Sequence, residues 1–152
     1  MTGNGTDQTG EQLNLRSRMS DLVQLHPWIE GLATRHRIPA STQFAMDLCL
    51  EEALSNIIRH GYAGDPNQSI GIQFTSPRED YYVLVIEDGA PCFNPVDAPA
   101  LPALTSLNET PIGGQGIRLL RRFADALEYQ AMPAGNRLTI GFSATGSAII
   151  KD

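Results

Sequence analysis

Glu52 and Asn56 stand four residues apart in DLCLEEALSNIIRHGY, residues 47–62, and their types point to chemistry. A carboxylate can orient or deprotonate a hydroxyl or a water. An amide oxygen is a hard ligand suited to magnesium, which takes few protein ligands and keeps waters and phosphate oxygens. At about 100° per residue, Glu52, Asn56, Arg59 and His60 fall on one stripe of a helix, with Ala45 and Cys49 between them. A second candidate is Asp88, in the run Val85-Ile86-Glu87-Asp88-Gly89. An acid where a strand leaves its sheet can accept a hydrogen bond from an exocyclic amine such as that of adenine. A third is Gly113-Gly114-Gln115-Gly116 ahead of Ile117. Glycines opening a helix expose backbone amides and the positive end of the helix dipole, where phosphates bind. Each has a plainer reading: a polar helix edge, a turn acid, a tight turn. The ordered set is the specific signal, since neither a P-loop nor a Rossmann fingerprint after the first strand is present.

These residues need elements to hold them. Met46, Leu50, Ala53, Leu54, Ile57 and Ile58 form the opposite, apolar stripe of the same helix, suited to packing on a sheet. Pro39-Ala40-Ser41 opens that helix. Upstream, Leu13 and Leu15 alternate with polar residues and predict a short edge strand within 11–18. Met19, Leu22, Val23, Leu25, Ile29, Leu32 and Ala33 share a helical face with Ser20 as cap, and Pro27 predicts a kink or a late start. His26, Trp28 and His36 read as packing or surface residues, with no metal-ligand spacing. Ile70, Ile72 and Phe74 alternate with polar residues, so 68–75 and 81–87 predict an antiparallel pair. Strands over 126–131 and 137–142 follow, joined by a turn at 133–136. Between Asp88 and Ile112 lie five prolines and no lysine or arginine, the mark of a long functional or disordered loop.

The 152 residues predict one folded domain over 11–144, with flexible tails at 1–10 and 145–152. A net charge of −6 with no basic stripe argues against nucleic acid and against an anionic membrane surface. No apolar run reaches the length of a membrane span. The N-terminus lacks the basic and apolar regions of a signal peptide. Cys49 and Cys92 form no Cys-x-x-Cys pair, and a reduced cytoplasmic setting follows.

At these motifs the chain resembles the GHKL ATPase superfamily, and within it the bacterial anti-sigma factor serine/threonine kinases. EALSNIIRHGY at 52–62 is similar to their N box, EDGAPCFNP at 87–95 to the G1 region and PIGGQGIRLL at 111–120 to the G2 region. NRLTI at 136–140 is similar to the closing strand, so the resemblance spans about Leu13 to Phe142. It implies an α/β (α+β) two-layer sandwich: a mixed, mostly antiparallel sheet with helices on one face and ATP on the helical side. Glu52 would then be the general base and Asn56 the magnesium ligand. Asp88 would recognise adenine, and Gly114, Gln115 and Gly116 would meet the phosphates. Arg59 would contact phosphate. His60, Ala90, Phe93, Gly113 and Ile117 complete the implied nucleotide site, and 88–112 would contain the ATP lid. The implied partners are a sigma factor or comparable client and a small antagonist carrying the phospho-accepting serine or threonine. A homodimer through the sheet near Leu13–Leu15 is also implied.

The chain departs from that pattern in two places. Ala90 stands where the Asp-x-Gly of the G1 region has its glycine, and the loop 88–112 has no basic residue. Alanine fits there if its φ is negative or its strain is absorbed. The departures motivate a second reading, a catalytically inactive binding module that sequesters a protein partner. A histidine kinase ATPase domain is disfavoured, because no helical hairpin with a phospho-accepting histidine precedes the motifs.

Overall fold

The computed structural model describes residues 11–91 and 112–144, with backbone alone for 112–117. Both expected tails, Cys92, Phe93 and most of the expected lid (92–111) lie outside the described residues.

The chain forms β1 (Glu11–Arg16), a 3-10 turn (Met19–Gln24), α1 (Leu25–His36) and α2 (Ala40–Asn56). A π-helical turn (Ile57–Gly61) continues α2, and the β2 (Ser69–Arg78)–β3 (Tyr81–Asp88) hairpin follows. Then come α3 (Ile112–Phe123), β4 (Ala126–Met132) and β5 (Gly135–Ser143). The five strands lie in the order β1-β2-β3-β5-β4. Every neighbouring pair is antiparallel, so the described strands are the antiparallel limit of the expected mixed sheet.

Alternation decides which face the helices cover. Ile70, Ile72 and Phe74 of β2, Tyr82, Leu84 and Ile86 of β3, and Leu138, Ile140 and Phe142 of β5 are buried at every second position. They share one core with Ile29 and Leu32 of α1, Met46, Leu50 and Leu54 of α2, and Leu120 of α3. Each such side chain contributes roughly 1.5–3 kcal/mol on burial. The intervening Val83, Val85 and Thr139 are half-buried on the uncovered face.

Of the expected helix starts, only the cap at Ser20 differs. The first helix begins late, at Leu25, and Pro27 is its third residue, where a missing N–H needs no intrahelical partner. Ser20 therefore lies inside the 3-10 turn and caps nothing; Gln24 precedes α1 without a side-chain cap. The second helix opens after Pro39 as expected, with the Gln43 N–H donating to the Pro39 carbonyl at 2.9 Å. Histidines behave as surface and packing residues: His26 contacts Asp47 at 2.9 Å, and His36 contacts Glu11 at 3.3 Å and packs on Phe74. Arg35 also donates to Glu11 and holds its carboxyl below the ordinary range.

Candidate functional site

The end of α2, the exit of β3 and the start of β5 converge on one cleft of about 490 Å³, its solvent mouth included. Asn56, Gly61, Asp88, Ala90, Tyr129 and Asn136 are among its lining residues, over an apolar floor that includes Ala53, Leu120 and Leu138.

The apolar stripe of α2 presses Met46, Leu50 and Leu54 into the core and brings Asn56 against the cleft. Asn56 is 8% exposed, and its Oδ1 is buried with no hydrogen-bond partner among the described residues. A buried acceptor left unsatisfied costs about 1–3 kcal/mol, and a group bound in the cleft would relieve that cost. It has the hardness magnesium prefers, and no group of three or more His, Cys, Asp or Glu among the described residues competes as a cation cage. The donor set fits magnesium, which Asn56 Oδ1 would hold as a single protein oxygen.

After Asn56 the helix widens. Tyr62 N–H donates to the Ile57 carbonyl at 2.7 Å, an i→i+5 bond in place of i→i+4. The stripe expected from the α-helical period therefore holds through Glu52 and Asn56 and changes beyond them. Arg59 and His60 are exposed on the π turn and are not part of the cleft wall. Glu52 is half-buried one turn before Asn56. Its charge is felt by Cys49, whose thiol is pushed up to about 12, chiefly by burial and then by Glu52. Cys49 should therefore resist alkylation in the native protein at pH 8. Mass spectrometry of the Cys49 peptide checks this; labelling as fast as in denaturant would show that α2 opens.

Asp88 closes β3, and its carboxyl stands above the ordinary range because it is partly withdrawn from water. Two donors oppose that rise: Asn136 Nδ2 at 2.9 Å and the Ala90 N–H at 2.8 Å, both on Oδ1. Tyr62 braces the same turn, accepting from the Gly89 N–H at 2.6 Å and donating to the Ser69 carbonyl at 2.8 Å. Ala90 is buried and does not have a positive φ, so alanine sits in the glycine position without left-handed strain. Its methyl faces Gly61 so closely that a Cβ there would lie 3.1 Å from it.

The structure thus brings Asn56, Asp88 and Ala90 together. The backbone of Gly113, Gly114, Gln115, Gly116 and Ile117 is helical, in the first turns of α3, so the glycines lie inside the helix. Phe93 is outside the described residues. Sequence reasoning did not single out Asn136, Tyr129 or Tyr62 for the site. NRLTI at the start of β5 carried the signal for Asn136, as a polar residue where a strand meets the exit of Asp88.

A model of histidine kinase-like ATPase domains matches residues 15–142. The serine/threonine-protein kinase BtrW of Bordetella bronchiseptica is 34% identical over 113 residues, 74% of this chain and 79% of that protein. Among solved structures, the RsbU and RsbW domains of a Mycobacterium tuberculosis protein superpose with a TM-score of 0.64 at 10% identity. That match covers 88% of this chain and 32% of the other, so the chain spans about a third of that protein's length. The histidine kinase domain of a blue-light activated histidine kinase from Erythrobacter litoralis gives 0.51 at 15% identity, over 90% of this chain and 64% of the other. At these identities the two structures speak for the fold alone.

Proposed function

The chain belongs to the family of histidine kinase-like ATPase domains, and from that premise we propose that it is an ATP- and magnesium-dependent protein serine/threonine kinase. In this reading it also acts as an anti-sigma factor, holding a sigma factor or comparable client. It phosphorylates a small antagonist of that role, and the new charge at the antagonist interface switches partners. Relatedness to BtrW, a serine/threonine-protein kinase, supports the reaction class. The observation that carries the reading is one cleft that offers an amide oxygen without a partner among the described residues, on Asn56, and a half-buried carboxylate, on Asp88.

Asp88 accepts from the amine of adenine, and the apolar floor of Ala53, Leu120 and Leu138 takes the faces of the base. Asn56 Oδ1 would hold magnesium, which when bound would supply neutralisation of phosphate charge. Glu52 takes the proton of the antagonist's serine or threonine hydroxyl as its oxygen bonds to the γ-phosphorus. The bond from that phosphorus to the bridging oxygen breaks, and ADP leaves. Transfer of this kind works by positioning and electrostatics more than by covalent participation of the protein. Arg59, Gly114, Gln115 and Gly116 are assigned to the phosphates. Among the described residues no helix is long and apolar enough to cross a membrane.

Calorimetric titration of the whole chain with ATP, with and without magnesium, tests the reading. Micromolar binding that requires magnesium is expected, and Asn56→Ala should lose the magnesium-dependent part. No heat at millimolar ATP would leave a protein-binding module without nucleotide chemistry. Magnesium dependence retained in Asn56→Ala would move the metal to another ligand.

A further inference from the structure

Asn136 is 7% exposed, and its amide is surrounded. Its Nδ2 donates to Asp88 Oδ1 at 2.9 Å, to the Ala90 carbonyl at 3.1 Å and to the Pro91 carbonyl at 3.3 Å. On the other side its Oδ1 accepts from the Tyr129 hydroxyl. The amide orientation follows from chemistry: three acceptors cluster at one end, and the carbonyls among them can face nitrogen and not oxygen. Two N–H groups shared among three acceptors leave Asn136 nothing with which to read a base.

Asp88 is a different case. Its Oδ1 already accepts from Asn136 and from the Ala90 N–H, and no bond to Oδ2 is found among the described residues. Asp88 meanwhile lines the cleft. Locking one oxygen leaves the other as the single acceptor offered to a ligand, in one fixed orientation. The same Asn136 amide grips the two carbonyls of the turn that carries Ala90.

On the reading that this cleft binds ATP, we infer that Asn136 is a positioning residue that sets selectivity for a 6-amino purine through Asp88. A purine with an amine at C6 donates to the remaining oxygen. One with a carbonyl there presents an acceptor to an acceptor, and Asp88 cannot swing its carboxylate away while Asn136 and Ala90 hold it. A buried amide that merely satisfied turn carbonyls would support the cleft without affecting this choice.

Affinity for ATP and for inosine triphosphate, which has a carbonyl at C6, separates the two roles. The unaltered chain should prefer ATP. Asn136→Leu keeps the approximate size but removes the donors and the acceptor for Tyr129; Asn136→Ala removes the bulk as well. Each should lower ATP affinity by about 10- to 100-fold, as expected for a lost hydrogen bond to a charged group, and leave inosine triphosphate binding nearly unchanged, so the preference collapses. An equal fall for both nucleotides, with the preference intact, would overturn the inference and leave Asn136 a structural residue. Should both variants fail to fold by thermal melting, Tyr129→Phe decides on the same ratio. It releases Asn136 from one side, and a preference that stays at the parent value would equally overturn the proposal. If the unaltered chain binds neither nucleotide, the ATP reading beneath the inference fails; equal binding of both shows that Asp88 makes no such choice.

Discussion

Gly135→Ala is expected to lower the melting temperature by roughly 10 °C or more and to dismantle the cleft. Gly135 opens β5 at φ +156°, a value L side chains rarely adopt, and a Cβ there would lie 1.8 Å from the Asp88 carbonyl oxygen. The same Cβ would be 2.8 Å from the Asp88 carbonyl carbon and from Gly89 Cα. All three atoms are backbone, so relief requires β5 to separate from the end of β3 where Asp88 pairs with Asn136. Strain at one such position costs about 1–3 kcal/mol. The collision adds to it, for a total of roughly 3–5 kcal/mol, at the upper end of single substitutions. For a chain of this size each kcal/mol corresponds to about 2–4 °C or somewhat more. Gly64→Ala is the control, because Gly64 has φ +84° but no heavy atom within 4 Å of an added Cβ. It should cost about 1 kcal/mol from backbone strain alone. Melting curves followed by circular dichroism compare the two, and equal shifts would show that the contact between β5 and Asp88 is looser than described.

Glu52→Gln should slow phosphoryl transfer by about 10²–10⁴-fold, the usual consequence of losing a general base, while ATP affinity stays close to that of the unaltered chain. The separation of effects follows from position. Glu52 is half-buried on α2 one turn before Asn56 and is not among the residues that line the cleft. Glutamine preserves its size and its helix propensity. Single-turnover transfer of labelled γ-phosphate to a serine-bearing antagonist, alongside ATP calorimetry, distinguishes the steps. A transfer rate equal to that of the unaltered chain would remove Glu52 from the role of base. Loss of ATP binding would instead make it part of the nucleotide site.

Much of the fold was legible because burial leaves a period in the sequence. Ile70, Ile72 and Phe74 announced β2, and Met46, Leu50 and Leu54 announced the core side of α2; all six are fully buried. Asn56 and Asp88 stood out by residue type and spacing, and the fold places both on one cleft. The π turn was not legible. A change from i→i+4 to i→i+5 bonding leaves the composition of Ile57–Gly61 unchanged, and it altered the surroundings of Arg59 and His60 without touching a residue type. Asn136 was hidden for another reason. A polar residue beside a Gly at the start of a strand reads as turn chemistry, and its partners at Asp88 and Ala90 lie more than 40 residues away. Ala90 was legible as a departure, but its φ and its contact with Gly61 needed the folded backbone.

The widened turn at Ile57–Gly61 also sets a phase relation between α2 and everything downstream. A helix followed by a loop can usually gain or lose a residue at the junction, because the loop takes up the difference. Here Tyr62 is fixed at both Gly89 and Ser69 within one residue of the turn, so no slack remains. Inserting one further residue at ordinary winding between Asn56 and Ile57 would rotate Gly61 and Tyr62 by about 100°, away from Ala90 and Gly89. Substitutions in this stretch can be judged one side chain at a time, whereas an insertion or deletion acts on the whole clockwork of the cleft. The length of the segment from Asn56 to Tyr62 is therefore as much a part of the site as any of its side chains.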